Sequence, residues 1–151
     1  MSKIAFIAAF MAKDRCGAAG VEFALALPVL ILLLIGTFDY GALAYQTMQV
    51  SAAAQAGADY ALHSGWNSTA IQTAVTSATG LSVSASPTPT LSNVCLSGNT
   101  LVVTTGSSCT GGGTPGSYVF VYAQSTFTPL IAWSALALPS TISAKAVIRI
   151  Q

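Results

Sequence analysis

From Ala18 to Phe38 the chain reads AAGVEFALALPVLILLLIGTF, an apolar run broken by one ionisable group, Glu22. A helix needs about 20 apolar residues to cross the hydrocarbon core of a bilayer, and this run supplies them. Leu25, Leu27 and the unbroken series Leu30 to Ile35 leave such a helix no polar face, which suits lipid better than a half-exposed site on a water-soluble fold. Lys3, Lys13 and Arg15 precede the run, against Asp14. Asp39 and Asp59 follow it, and the next basic residue is Lys145. That asymmetry predicts a cytoplasmic N-terminus and an exported remainder. The shorter patch IAFIAAFMA, ending at Ala12, is too short to span and has no small-x-small cleavage pattern after it. It is expected to be a cytoplasmic leader lying on the membrane surface.

Composition narrows the function classes. Apolar residues make up 53% of the 151-residue chain and charged residues 6%, where a soluble domain usually carries about 25% charged residues. Five Lys and Arg side chains cannot line a phosphate backbone, so nucleic-acid binding is not expected. One His, three Asp and one Glu leave little material for acid–base catalysis, and neither a nucleophile elbow nor a metal-binding spacing appears. Neither a cofactor nor a catalytic residue is assigned. Gly111-Gly112-Gly113 lacks the Lys-Ser/Thr of a phosphate loop and reads as a turn.

Glu22 is the informative residue. A carboxylate within a membrane helix costs on the order of 2–3 kcal/mol or more, so it usually has a partner and a task. One account has Glu22 snorkelling to the headgroups or protonated. The other supplies a cation by proteolysis: a cut after Gly17 creates an α-amino group on Ala18, able to pair with Glu22 of a neighbouring subunit. Two costly charges then neutralise each other only on assembly, which fixes register. Pro28, further along the helix, removes one backbone hydrogen bond and is expected to bend it mildly.

The stretch Arg15-Cys16-Gly17-Ala18-Ala19-Gly20-Val21-Glu22-Phe23-Ala24-Leu25, with Leu27-Pro28 and the Leu/Ile run after it, resembles the TadE-like pseudopilins of the tight-adherence (Tad) pilus machinery. Phe38-Asp39-Tyr40-Gly41, the small-residue run Ser51 to Ala58 and the closing Ala144 to Arg149 also fit that family. The resemblance implies an inner-membrane prepilin peptidase cutting between Gly17 and Ala18, with Glu22 and Phe23 serving assembly. Implied partners are the bilayer, that peptidase, other pilins and pseudopilins, and the Tad inner-membrane platform. Cys16 before the scissile Gly departs from the usual pattern.

Beyond Phe38 the helical pattern continues through Tyr40, Leu43, Ala44, Met48 and Val50 to about Leu62, with Gly65 as a stop. Asn67 or Ser68 can cap a second, short helix ending before Gly80. Then the texture turns to β. Leu81 to Ala85 alternates before Pro87 and Pro89 interrupt it. Leu101 to Thr105 and Tyr118 to Tyr122 read as strands, and Thr141 to Gln151 alternates with Ile142, Ala144, Ala146, Ile148 and Ile150 on one face. The apolar stretch from Phe127 to Pro139 is either core cover or a contact for another subunit. Cys95 and Cys109 flank the strand at Leu101, and in an oxidising periplasm they are expected to form a disulfide.

The expected architecture is α+β and pilin-like: a long N-terminal transmembrane helix continuing into a small extracytoplasmic domain with a short helix and an antiparallel sheet. Residues 1–17 form the leader, 18–43 the transmembrane helix and 44–151 the extracytoplasmic domain. The expected function is that of a minor pilin or pseudopilin in Tad pilus assembly and surface adherence. The alternative is a single-pass, periplasmic structural protein that is never processed.

Overall fold

A computed structural model of the chain describes residues 15–131 and 138–150. The leader patch and residues 132–137 of the apolar loop fall outside them. The chain divides into two compact units, Met1–Gly41 and Ala42–Gln151. Helix α1 spans Arg15–Ser64, 50 residues, and runs unbroken through Pro28. It is followed by a short helix α2 (Ser68–Ser77) and the strands β1 (Thr90–Ser97), β2 (Thr100–Val103), β3 (Gly116–Thr126) and β4 (Thr141–Arg149). The expected α+β architecture is present.

In the first unit every large apolar side chain from Val21 to Leu34 is exposed, Leu25 at 74%. Leaving one such side chain in water forgoes about 1.5–3 kcal/mol of burial, so an unbroken series of them calls for a non-aqueous surround. The helix residues from Ala19 onward have a mean hydropathy of 2.4 over their most apolar window, long and apolar enough to cross a membrane. Asp39, near the end of this unit, is buried and has an interaction partner.

In the second unit the helix buries its small residues. Val50, Ala53, Ala54, Ala58 and Ala61 lie in the core, with Gly57 in the same stripe. Their spacing of three and four residues draws one face of a helix. The helix continues through Tyr40, Leu43, Ala44, Met48 and Val50 as their spacing predicts, but of these only Val50 is in the core: Met48 is 71% exposed, Tyr40 and Ala44 are exposed, and Leu43 is half-buried. Alanine and glycine allow closer approach than bulky side chains, and at Gly57 the contact is closest. A Cβ there would sit 2.5 Å from Val75 Cγ2 and 2.8 Å from Val121 Cγ1.

α1 ends at Gly65, whose φ of +77° is the left-handed conformation that closes helices, and whose N–H donates to the Ala61 carbonyl at 3.0 Å. Asn67 caps α2: its Oδ1 accepts from the Ala70 N–H at 3.1 Å. Ile71 and Val75 then turn inward.

The four strands form one antiparallel sheet in the order β2-β1-β3-β4. β1 is absent from the expected strands, because Thr-Leu-Ser-Asn-Val-Cys-Leu-Ser carries few β-branched residues. The signal for it is the two-residue turn Gly98-Asn99, whose Gly98 has the φ of +62° that a type II′ hairpin requires at its first central residue. The segment from Leu81 to Ala85 forms no named strand and pairs only at Ser84, which exchanges two 2.8 Å backbone bonds with Gln124. Val119, Val121 and Ala123 of β3, with Ile142 of β4, face the α1 stripe and α2 in one core, and Ala144, Ala146, Ile148 and Ile150 pack against it as expected. Phe127 is buried and Leu138 packs on the core, so both described ends of the apolar loop act as cover. On the opposite face Lys145 Nζ lies 4.7 Å from the Phe120 ring centre and 5.5 Å from that of Tyr122.

Candidate assembly site

The residues singled out in the membrane segment sit in the first turns of α1. Gly17 and Ala18 are helical in backbone, so the peptide bond between them is not presented in extended form. A Cβ on Gly17 would meet nothing within 4 Å, which leaves the bond accessible once this turn opens. Frayed first turns open readily because their N–H groups lack intrahelical acceptors. Glu22 and Phe23 are exposed, Phe23 at 65%. Glu22 forms no ion pair among the described residues. An exposed carboxylate and an exposed ring thus occupy consecutive positions of an apolar helix.

The disulfide is present. Cys95 and Cys109 are bonded with their Cα atoms 5.6 Å apart, closing a sequence separation of 14. Cys95 stands in β1 opposite Val102, and Cys109 stands in the β2–β3 loop. That loop turns back at Gly111, Gly112 and Gly113, all at positive φ, with the Cys109 N–H donating to the Gly113 carbonyl at 3.0 Å. The glycines therefore serve the turn that carries Cys109, a conformation only Gly adopts freely.

Other polar signals resolve into local structure. His63 sits in the last turn of α1, where its Nδ1 lies 2.8 Å from the Asp59 carbonyl oxygen. The Asn67 side chain is taken up as the cap of α2. Among the described residues no group of three His, Cys, Asp or Glu side chains gathers as metal ligands would.

The stretch that holds Gly17, Glu22 and Phe23 is also the stretch that matches a known family: residues 17–59 fit the family model described as TadE-like protein. This segment is TadE-like. No curated protein and no solved structure matches the chain. The TadE-like segment begins at Gly17 and ends at Asp59, so it takes in the apolar run and the small-residue stripe through Ala58. The long apolar helix that carries it fits a membrane-anchored protein. The sheet and the disulfide lie outside the TadE-like match.

Proposed function

We propose that the chain is a minor pilin or pseudopilin of a Tad-type pilus, working through helix packing rather than catalysis. It is inserted with its N-terminus in the cytoplasm and the sheet domain in the periplasm, as the distribution of Lys and Arg favours. A prepilin peptidase cuts between Gly17 and Ala18. The new ammonium of Ala18 and the carboxylate of Glu22 then pair between neighbouring subunits, and Phe23 packs beside them. Each charge is costly alone in lipid, so pairing rewards only the assembled register. The disulfide-closed domain selects partners and contributes to surface adherence.

The observation that carries this reading is the start of the TadE-like match at Gly17, in the first turn of a helix whose exposed apolar run holds one carboxylate, Glu22. N-terminal sequencing of the protein from its native membrane tests it. Ala18 as first residue is expected. Met1 as first residue leaves the other account, a membrane-anchored structural protein that is never processed.

A further inference from the structure

The two edges of the sheet differ. β4 carries Lys145 and Arg149, the charged residues that ordinarily protect an edge strand from pairing. β2 carries Thr100, Leu101, Val102 and Val103, with neither charge nor proline, and all of them are exposed. Leu101, Val102 and Val103 are 45, 48 and 58% exposed, and Leu96 on the adjoining strand 65%. Such an edge is a template for another strand.

The hydrogen-bond phase says which groups are on offer. The hairpin closes at Ser97 opposite Thr100, and Cys95 stands opposite Val102. The Thr104 N–H donates to the Asn93 carbonyl at 2.8 Å, which continues the same alternation. Thr100, Val102 and Thr104 therefore bond inward to β1, and the N–H and C=O groups of Leu101 and Val103 point outward.

We propose that this edge is a homophilic β-pairing site, on which β2 of a second copy adds antiparallel across a two-fold axis at Val102. In that register Leu101 stands opposite Val103 of the other copy, and each such pair exchanges two backbone hydrogen bonds. Val102 meets its own equivalent as the close, non-hydrogen-bonded pair between them. Side chains directly opposite share a face, so Leu101 and Val103 continue one apolar ladder across the axis and Val102 the other. A shift by one residue breaks both the hydrogen-bond phase and the facing of the side chains. No other register of β2 on itself uses all the outward groups of Leu101 and Val103. The strand is thus complementary to itself, and with no charge on it two copies meet without repulsion.

Four residues a side fall short of the roughly 1,200 Å² that a stable soluble interface buries, so the contact is weak between free molecules. Confinement to one membrane raises the effective concentration and lets a weak contact form. Processing at Gly17 plays no part in this inference.

The test places the photo-crosslinking residue p-benzoylphenylalanine at position 102 of the full-length protein, with tagged and untagged copies together in native membranes. Ultraviolet light is expected to give a product of twice the chain mass containing both copies. The same residue at position 73, exposed on α2, is expected to give none. Val103→Pro removes an outward N–H and leaves the ladder to β1 intact, so it is expected to abolish the product while the Cys95–Cys109 bridge still forms. Val102→Lys in a copy crosslinked from position 101 is the second variant, placing two ammonium groups across the axis, and it too is expected to abolish the product. A missing product from position 102, a product that survives both variants, or a product containing only some other protein overturns the proposal.

Discussion

Replacing Gly57 by Ala adds one methyl group where α1, α2 and β3 converge. Its carbon would lie 2.5 Å from Val75 Cγ2, 2.8 Å from Val121 Cγ1 and 3.4 Å from Ile71 Cγ2. Carbon atoms in contact prefer about 3.5–4.0 Å, so the first two overlaps approach an ångström. Val75, Val121 and Ile71 are each fully buried and β-branched, with one strongly preferred χ1, and they cannot swing aside. Overpacking of this kind costs about 1–3 kcal/mol, and two overlaps against stiff side chains place it in the upper half. Ala favours a helix over Gly by about 1 kcal/mol, which offsets part of the cost. The expected net loss is about 1–2 kcal/mol, or a fall in Tm of about 5–10 °C for a domain of this size. Thermal melting of the full chain in detergent micelles, followed by circular dichroism, measures it. Val75→Ala removes the nearest methyl and makes room, so Gly57→Ala with Val75→Ala should be less damaging than the sum of the singles by about 1 kcal/mol. An unchanged or raised Tm for Gly57→Ala, or strict additivity in the pair, would refute the packing account.

Asn67→Ala removes the oxygen that accepts from the Ala70 N–H, and about 1 kcal/mol of stability should go with it in the same melts. Replacing Cys95 and Cys109 together by Ser opens the loop they close, with an expected loss of about 3 kcal/mol by denaturant titration. Gly17→Leu puts a bulky side chain where the peptidase must approach the backbone, so only the precursor band should appear on a gel; a normal mature band would count against processing there. Glu22→Ala should be processed normally yet fail to co-purify with pilus components, and normal co-purification would sink the pairing of Glu22 with the Ala18 ammonium.

The parts of this fold that lie open in the sequence are those governed by short-range chemistry. The apolar run, the stop at Gly65, the cap at Asn67 and the alternation of Ile142 to Ile150 each follow from a few neighbouring residues. The Cys95–Cys109 bridge is legible from the spacing of the two cysteines together with the expectation of an exported domain. The inner face of α1 is not. Large apolar side chains suggest a core, yet Tyr45, Met48 and Leu62 are exposed while Ala53, Ala54 and Ala61 are buried. The choice is made by β3 and α2, which approach closely enough only where the helix is thin, and that is a tertiary fact. β1 escapes the pattern for a related reason: its polar Ser92 and Asn93 are held by pairing with Tyr118 and Ser117 of β3, and the Asn93 carbonyl also accepts from the Thr104 N–H, partners that lie far along the chain. Asp39 reads in sequence as a charge flanking the apolar run, and its burial lies beyond what its neighbours disclose.

Between Asp59 and Lys145 the chain contains no Asp, Glu, Lys or Arg. The domain therefore has almost no long-range electrostatic means of steering or sorting partners. What it can offer is apolar area and backbone hydrogen bonds, neither of which is strongly screened by salt. The proposed contact at Glu22 is of the opposite kind, a pair of charges that gains its strength from low dielectric. With the two proposed contacts, one chain combines an edge that recognises the shape and phase of a strand with a helix that recognises a single ammonium. The first discriminates by register, since a slipped strand loses both its bonds and its side-chain facing. The second, as proposed, discriminates by depth, because an ionised carboxylate held in lipid is costly unless a cation stands opposite it. As proposed, neither contact draws on the surface charge that the sequence omits, so sparse charge is no obstacle to selective assembly.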